Sequence, residues 1–217
     1  MLPLLIPALY SDVFVKRQRQ RAFSLTELLV VIAVLAVLAV FSAPTLSSLL
    51  DGSKVNRVAG DISLLLEQSR TAAMARNTYV WVGFTDDTDD LSIAAVAGTT
   101  GQADDLSTGN ITPVEKVRTY EDFRTAQVTG LEGMETGGND IDDSLISPFT
   151  QTTGGTSVSF TKVLRFSPLG EVSIGQSRLS RCIDIGLLPV KNGEVKNENP
   201  IAFQVSGLTG QVRIFRK

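Results

Sequence analysis

The longest apolar run in the chain reaches from Leu28 to Phe41, and no charged residue follows until Asp51. Leu28 to Leu50 is therefore an uncharged stretch which, at about 1.5 Å per residue, can cross a bilayer as a helix, with 42–48 as a less apolar exit. The pattern then changes. Val55, Val58, Ile62, Leu65, Ser69, Ala72 and Ala73 recur at steps of three and four, while Arg57, Asp61, Glu67, Gln68 and Arg70 fall largely on other faces. That spacing predicts an amphipathic helix over 51–77, laying one stripe on a sheet. Pro44 removes one backbone donor and predicts a kink, not an end. Asp51-Gly52-Ser53 is a second weak point, and Asn77 is a left-handed stop.

Beyond Asn77 the period shortens. Segments rich in β-branched and aromatic residues predict strands at 78–84, 91–97, 114–119, 158–166, 170–174, 180–187, 201–206 and 211–215. Phe166-Ser-Pro-Leu-Gly-Glu-Val172 reads as strand, tight turn, strand. Val205-Ser-Gly-Leu-Thr-Gly-Gln-Val-Arg-Ile214 reads as a hairpin with glycines at its turn. One long helix followed by strands predicts an α+β fold, the helix covering one face of a C-terminal antiparallel β-domain.

Composition narrows the chemistry. Among 217 residues there are no histidines and one cysteine, Cys182. Disulfides within one chain, the common Cys/His zinc sites and His-activated nucleophiles are excluded. Cys182 sits in a strand-like alternation and is expected as a small core residue. Charge is uneven: Lys16, Arg17, Arg19 and Arg21 against Asp12 give residues 1–22 a balance of +3, so the net −3 of the chain leaves −6 on the rest. A basic start ahead of an acidic body fits a cytoplasmic leader and an exported body.

Glu27 stands at the start of the apolar run. An ionised carboxylate near the membrane core costs on the order of 2.5–3.5 kcal/mol on insertion scales, so it needs a partner. Ala22-Phe-Ser-Leu-Thr-Glu27 with the following Leu28-Leu-Val-Val-Ile-Ala33 resembles the type IV pilin and type II secretion pseudopilin superfamily. The resemblance implies a prepilin peptidase cut between Ala22 and Phe23 and N-methylation of Phe23. It also implies that Glu27, the fifth residue of the mature chain, pairs with the terminal ammonium of a neighbouring subunit during assembly. The family usually has Gly before the cut, where this chain has Ala22. Two readings of the segment remain beside it: a secretory signal peptide, which lacks an Ala-x-Ala site here, and an unprocessed signal anchor, which leaves Glu27 unexplained.

The body is similar to the GspH/FimT-like branch of that superfamily in Leu66-Glu-Gln-Ser-Arg-Thr-Ala-Ala-Met-Ala-Arg-Asn77, in the Phe-x-Pro-x-Gly turn at 166–170 and in Gly210-Gln-Val-Arg213. It also resembles the Verru_Chthon cassette protein D-like pseudopilins. The resemblance implies four parts: a cytoplasmic leader 1–22, a transmembrane and assembly helix 23–50, an amphipathic helix 51–77 and a periplasmic β-rich domain 78–217. The role implied is a minor pseudopilin, a structural subunit of a secretion or pilus-like filament in the bacterial inner membrane. It needs no cofactor and no catalysis.

Two further expectations concern the body. The stretch 85–157 carries 14 acidic residues against Lys116, Arg118 and Arg124. Its simplest reading is a solvated, partly mobile insertion; the alternative is calcium held by Asp86, Asp87, Asp89 and Asp90, with Asn139-Asp-Ile-Asp-Asp143 as a second acidic run. FimT-like minor pilins that bind DNA for uptake carry Gly-Arg-x-Arg near the terminal hairpin. This chain lacks the first arginine, but Arg213, Arg216 and Lys217 form a small basic tail beside an otherwise acidic body.

Overall fold

The computed structural model describes residues 24–87, 89–175, 180–191, 193–197 and 199–217, the side chains of 40–51 excepted. The leader 1–22 and Phe23 lie outside the described residues. One helix, α1 (Leu25–Arg76), stays helical through Pro44 and through Asp51-Gly52-Ser53. It ends as its sequence predicts. Asn77 takes a φ of 49°, and Thr78 N–H reaches back to Ala73 O at 3.1 Å. That left-handed residue satisfies a carbonyl the last turn would otherwise leave open.

The chain divides into two compact units, 1–48 and 49–217. In the second, the strands are β1 (Val80–Asp87), β2 (Asp90–Gly98), β3 (Ile111–Tyr120), β4 (Phe123–Thr125), β5 (Asn139–Asp140) and, after a 3₁₀ turn at Ile141–Asp143, β6 (Phe149–Thr153). They continue with β7 (Thr156–Phe160), β8 (Lys162–Phe166), β9 (Val172–Ser173), β10 (Cys182–Lys191), β11 (Glu194–Val195), β12 (Ile201–Ser206) and β13 (Val212–Arg216). One sheet runs β3-β2-β1-β8-β9; a second runs β11-β10-β12-β13, with β4 and β5 also paired to β10; β6 and β7 form a separate ribbon. Every pairing is antiparallel except β5 with β10.

The core sits where the helical stripe meets both sheets. Val55, Val58, Ile62, Leu65, Ser69 and Ala73 are buried as the periodicity predicts, joined by Ala59 and Leu66. They pack on Val82 and Phe84 of β1, Leu164 of β8, and Ile185 and Phe203 of the second sheet. Each fully buried Ile, Leu or Phe contributes about 1.5–3 kcal/mol, so this stripe holds the helix to the sheets. The opposite face of the first sheet has its own cluster: Trp81, Val96 and Val163 meet Phe149 and Phe160 of the ribbon, whose rings stack at 5.1 Å. Gly83 permits this approach, because a Cβ there would lie 2.7 Å from the Phe149 ring.

Two expectations need revision. The strand at 158–166 is two strands, since Phe160 faces the ribbon cluster while Leu164 and Phe166 face the helix, and the chain changes sheets at Thr161. The acidic stretch 85–157 is built into the sheets: it supplies the end of β1, β2 through β6 and the start of β7. Of these, β4, β5 and β6 carry no clear alternation and are set by pairing with β10 and β7. Cys182, as expected, is a buried strand residue.

Candidate functional site

The first unit holds the residues singled out at the N-terminus. Ser24 is the N-cap of α1: its hydroxyl accepts from Thr26 N–H at 3.3 Å, and its carbonyl accepts from Leu28 N–H at 3.1 Å. Glu27, three residues on, reaches back so that Ser24 N–H donates to its Oε2 at 3.0 Å. Ser24-Leu-Thr-Glu27 is thus a capping box, in which two orphan donors of the first turn are satisfied reciprocally. The Ser-x-x-Glu spacing ahead of an apolar run carries that signal in the sequence. A carboxylate in the first turn also gains from the helix dipole, typically 0.3–1 kcal/mol.

From Leu25 to Leu38 the large apolar side chains are exposed all round, Leu28 at 60% and Leu35 at 58%. The stretch 28–50 expected to cross a membrane includes 40–50, whose side chains, that of Pro44 among them, lie outside the described residues. Among the described residues no helix is long and apolar enough to cross a membrane. The arrangement that is described is a capped, apolar-sided helix start with one acid poised over its end. Chemically it offers a single carboxyl acceptor in the first turn of the helix.

The acidic runs are dispersed onto cations of the chain itself. Lys162 Nζ lies 2.9 Å from Asp86 Oδ2 and 2.8 Å from Asp142 Oδ1, so one ammonium joins the run at 86–90 to the run at 139–143. It also donates to the Thr125 hydroxyl, and Thr125 N–H donates to Asp86 Oδ1 at 2.9 Å. Burial works to lower the Lys162 pKa, but the hydrogen bonds and charges of Asp142 and Asp86 outweigh it and hold the ammonium above its ordinary value. Asp89 pairs with Arg124 at 2.9 Å, and Asp90 Oδ1 accepts from Asp122 N–H at 3.3 Å. Among the described residues no group of three or more acidic or cysteine side chains is placed to hold a metal ion.

A second pair of carboxylates is buried. Asp140 and Asp184 stand opposite each other on β5 and β10, both under a tenth exposed. Burial raises both pKa values; neighbouring Asp142, Asp143 and Asp184 add to the effect at Asp140, while the amide of Gln204, 2.8 Å from Asp184 Oδ1, opposes it at Asp184.

The basic tail is not one surface. Along β13 successive side chains alternate faces, so residues three apart point to opposite sides. Arg213 turns to the outer face, 3.6 Å from Glu135 Oε1, while Glu135 Oε2 holds Arg181 at 3.1 Å. Arg216 turns to the helix side and donates to Asn56 Oδ1. Lys217 follows as an exposed residue. Cys182 is buried beside Asp184 and Glu135, and burial followed by those charges pushes its thiol pKa up.

Residues 17–43 match the family model described as the prokaryotic N-terminal methylation motif. The match spans Ala22, Phe23 and Glu27 together with most of the apolar run, and supports a type IV pilin-like protein without selecting a branch. No curated protein and no solved structure matches the chain.

Proposed function

We propose that the chain is a minor pilin-like subunit: a precursor cut between Ala22 and Phe23 by a prepilin peptidase, N-methylated at Phe23, and held in the bacterial inner membrane by its N-terminal helix. The observation that carries this reading is the coincidence of the methylation motif at 17–43 with the start of α1 at its capping Ser24. A cut before Phe23 would leave two residues ahead of Leu25 and make Glu27 the fifth residue of the mature chain. In hydrocarbon an isolated carboxylate is costly, which favours pairing of Glu27 with the terminal ammonium of a neighbouring subunit. Assembly would exchange lipid for helix–helix contact along the exposed apolar sides, the carboxylate selecting the axial position at which a neighbour's ammonium can reach it.

The body would be a recognition surface of a structural subunit in a secretion or pilus-like filament, with other pilin-like subunits as partners. The DNA-uptake alternative gains no support from β13, because Arg213 and Arg216 face opposite sides and Arg213 is engaged by Glu135. Mass spectrometry of the protein recovered from membranes tests the reading: a mature N-terminus at a methylated Phe23 is expected. An intact leader, or cleavage near Ala43, would overturn it.

A further inference from the structure

The loop that follows β4 arches over the outer face of the second sheet. It leaves at Gly186 of β10, where Ala126 N–H donates to Gly186 O at 2.9 Å and a Cβ on Gly186 would run into Ala126 O. The loop returns at Glu135, whose N–H donates to Gln204 Oε1 at 3.1 Å while its carbonyl accepts from Gln204 Nε2 at 3.0 Å. Between these ties Val128 is buried with Leu188 and Ala202, and Leu131, Met134 and Phe215 pack beside them. Both ends of the loop are therefore fixed, whereas Thr129, Gly130 and Glu132 stay exposed.

Against residues 127–132 of this arch lies an open cavity of about 530 Å³, bounded also by Leu188, Asn197 and Pro200, with Arg216 and Lys217 in its wall. That volume falls within the range of small-molecule sites, about 300–1,000 Å³. A second cavity of about 190 Å³ is lined by Asn56 of α1 and shares Pro200, Arg216 and Lys217, so the two cations stand where the cavities meet. Their charge is not neutralised within the body. Arg216 donates to the neutral Asn56 Oδ1, and among the described residues no carboxylate lies within ion-pair distance of Arg216 or Lys217. Arg213, by contrast, is held by Glu135. The larger cavity thus joins an apolar wall of Val128, Leu131, Leu188 and Pro200 to two cations, opposed by the single acid Glu132.

We propose that this cavity binds a small monocarboxylate with a compact apolar body. The body lies on Val128, Leu131, Leu188 and Pro200, and the carboxylate lies between Arg216 and Lys217. Removing apolar area from water drives entry, and the two cations favour the ionised acid over a neutral molecule of the same shape. An inorganic anion such as phosphate leaves the apolar wall uncovered and fits less well. The site belongs wholly to the body and does not depend on how the N-terminus is processed.

The test titrates phenylbutyrate, and separately phenylbutyramide, into the full chain in detergent and follows backbone amide shifts by NMR. The acid is expected to shift Thr129, Gly130 and Leu131 saturably, with a dissociation constant on the order of 1 mM. The amide enters micelles at least as readily, yet should bind the loop about tenfold more weakly. Arg216→Gln together with Lys217→Gln should erase that preference and leave the thermal midpoint unchanged, since both residues are exposed. Arg216→Lys keeps both charges and should keep the preference. Asn56→Ala removes only the neutral partner of Arg216 and should leave binding of the acid within about twofold. No saturable shift in 127–132 at about 20 mM acid overturns the proposal, as does equal binding of the amide. Retention of the preference by the Arg216→Gln, Lys217→Gln double variant overturns it too. Equal shifts from inorganic phosphate do the same, because they mark a site for charge alone. Shifts confined to 25–39 also overturn it, because they report the acid entering detergent on the apolar helix.

Discussion

The amide of Ser24 and the carboxylate of Glu27 are joined at 3.0 Å across the first turn of α1. The acid that the proposed assembly mechanism needs for a neighbour is therefore already used within its own helix. The two uses can be separated by chemistry, because capping requires only an acceptor oxygen whereas pairing with an ammonium requires charge. Glu27→Gln keeps an acceptor and should insert and be processed as the parent, yet fail to join filaments. Glu27→Ala should lose both, with helix stability at this end reduced by about 1 kcal/mol. Co-purification with filaments and mass spectrometry of the N-terminus read the two outcomes, and normal incorporation of Glu27→Gln would remove the ionic role.

Lys162 joins β8 to Asp86 of β1, to Thr125 of β4 and to the 3₁₀ turn at Asp142. Removing it leaves two acids facing each other without their common cation. Lys162→Met should destabilise the body by about 1–3 kcal/mol, and adding Asp86→Asn should cost less than the sum because both changes break one network. Urea unfolding followed by the single tryptophan, Trp81, which is fully buried, measures both.

Gly83 lies under the β6–β7 ribbon with no room for a side chain. Gly83→Ala should push the Phe149 and Phe160 rings off the sheet and cost about 1–3 kcal/mol, as overpacked cores do. Protease cleavage at the Gly154-Gly155 tip should accelerate if the ribbon lifts. An unchanged rate and unfolding midpoint would show that the ribbon adjusts in place.

Burial raises the carboxyl pKa values of Asp140 and Asp184 in the folded protein above the ordinary aspartate value of 3.8. The folded state then binds protons more tightly than the unfolded chain, so these two groups destabilise above their folded pKa values, and that cost disappears as pH falls toward 3.8. Asp184→Asn, which keeps an acceptor for Gln204, should raise the thermal midpoint at pH 7, and its advantage over the parent should shrink toward pH 4. An advantage constant with pH would mean that the charge of Asp184 is not what burial penalises.

Periodicity alone was enough to define the helical stripe from Val55 to Ala73, the stop at Asn77, and the hairpin of β12 and β13, because each rests on contacts a few residues apart. The break at Thr161 was hidden, since a continuous run of strand-forming residues does not say which of two sheets each half will join. The acidic runs were equally unreadable as to role. Asp86 and Asp142 are 56 positions apart in the sequence and share Lys162 only because β1, β8 and the 3₁₀ turn are brought together.

Local spacing likewise carried the N-terminal motif at 22–27 and the capping pattern within it, both contained in six consecutive residues. Tertiary structure decided the rest: that Arg213 meets Glu135, that Arg216 meets Asn56, and that Asp140 stands against Asp184. Each of these is a meeting of residues distant in sequence. A side chain's period tells which face it takes, while only the packed chain determines what that face meets.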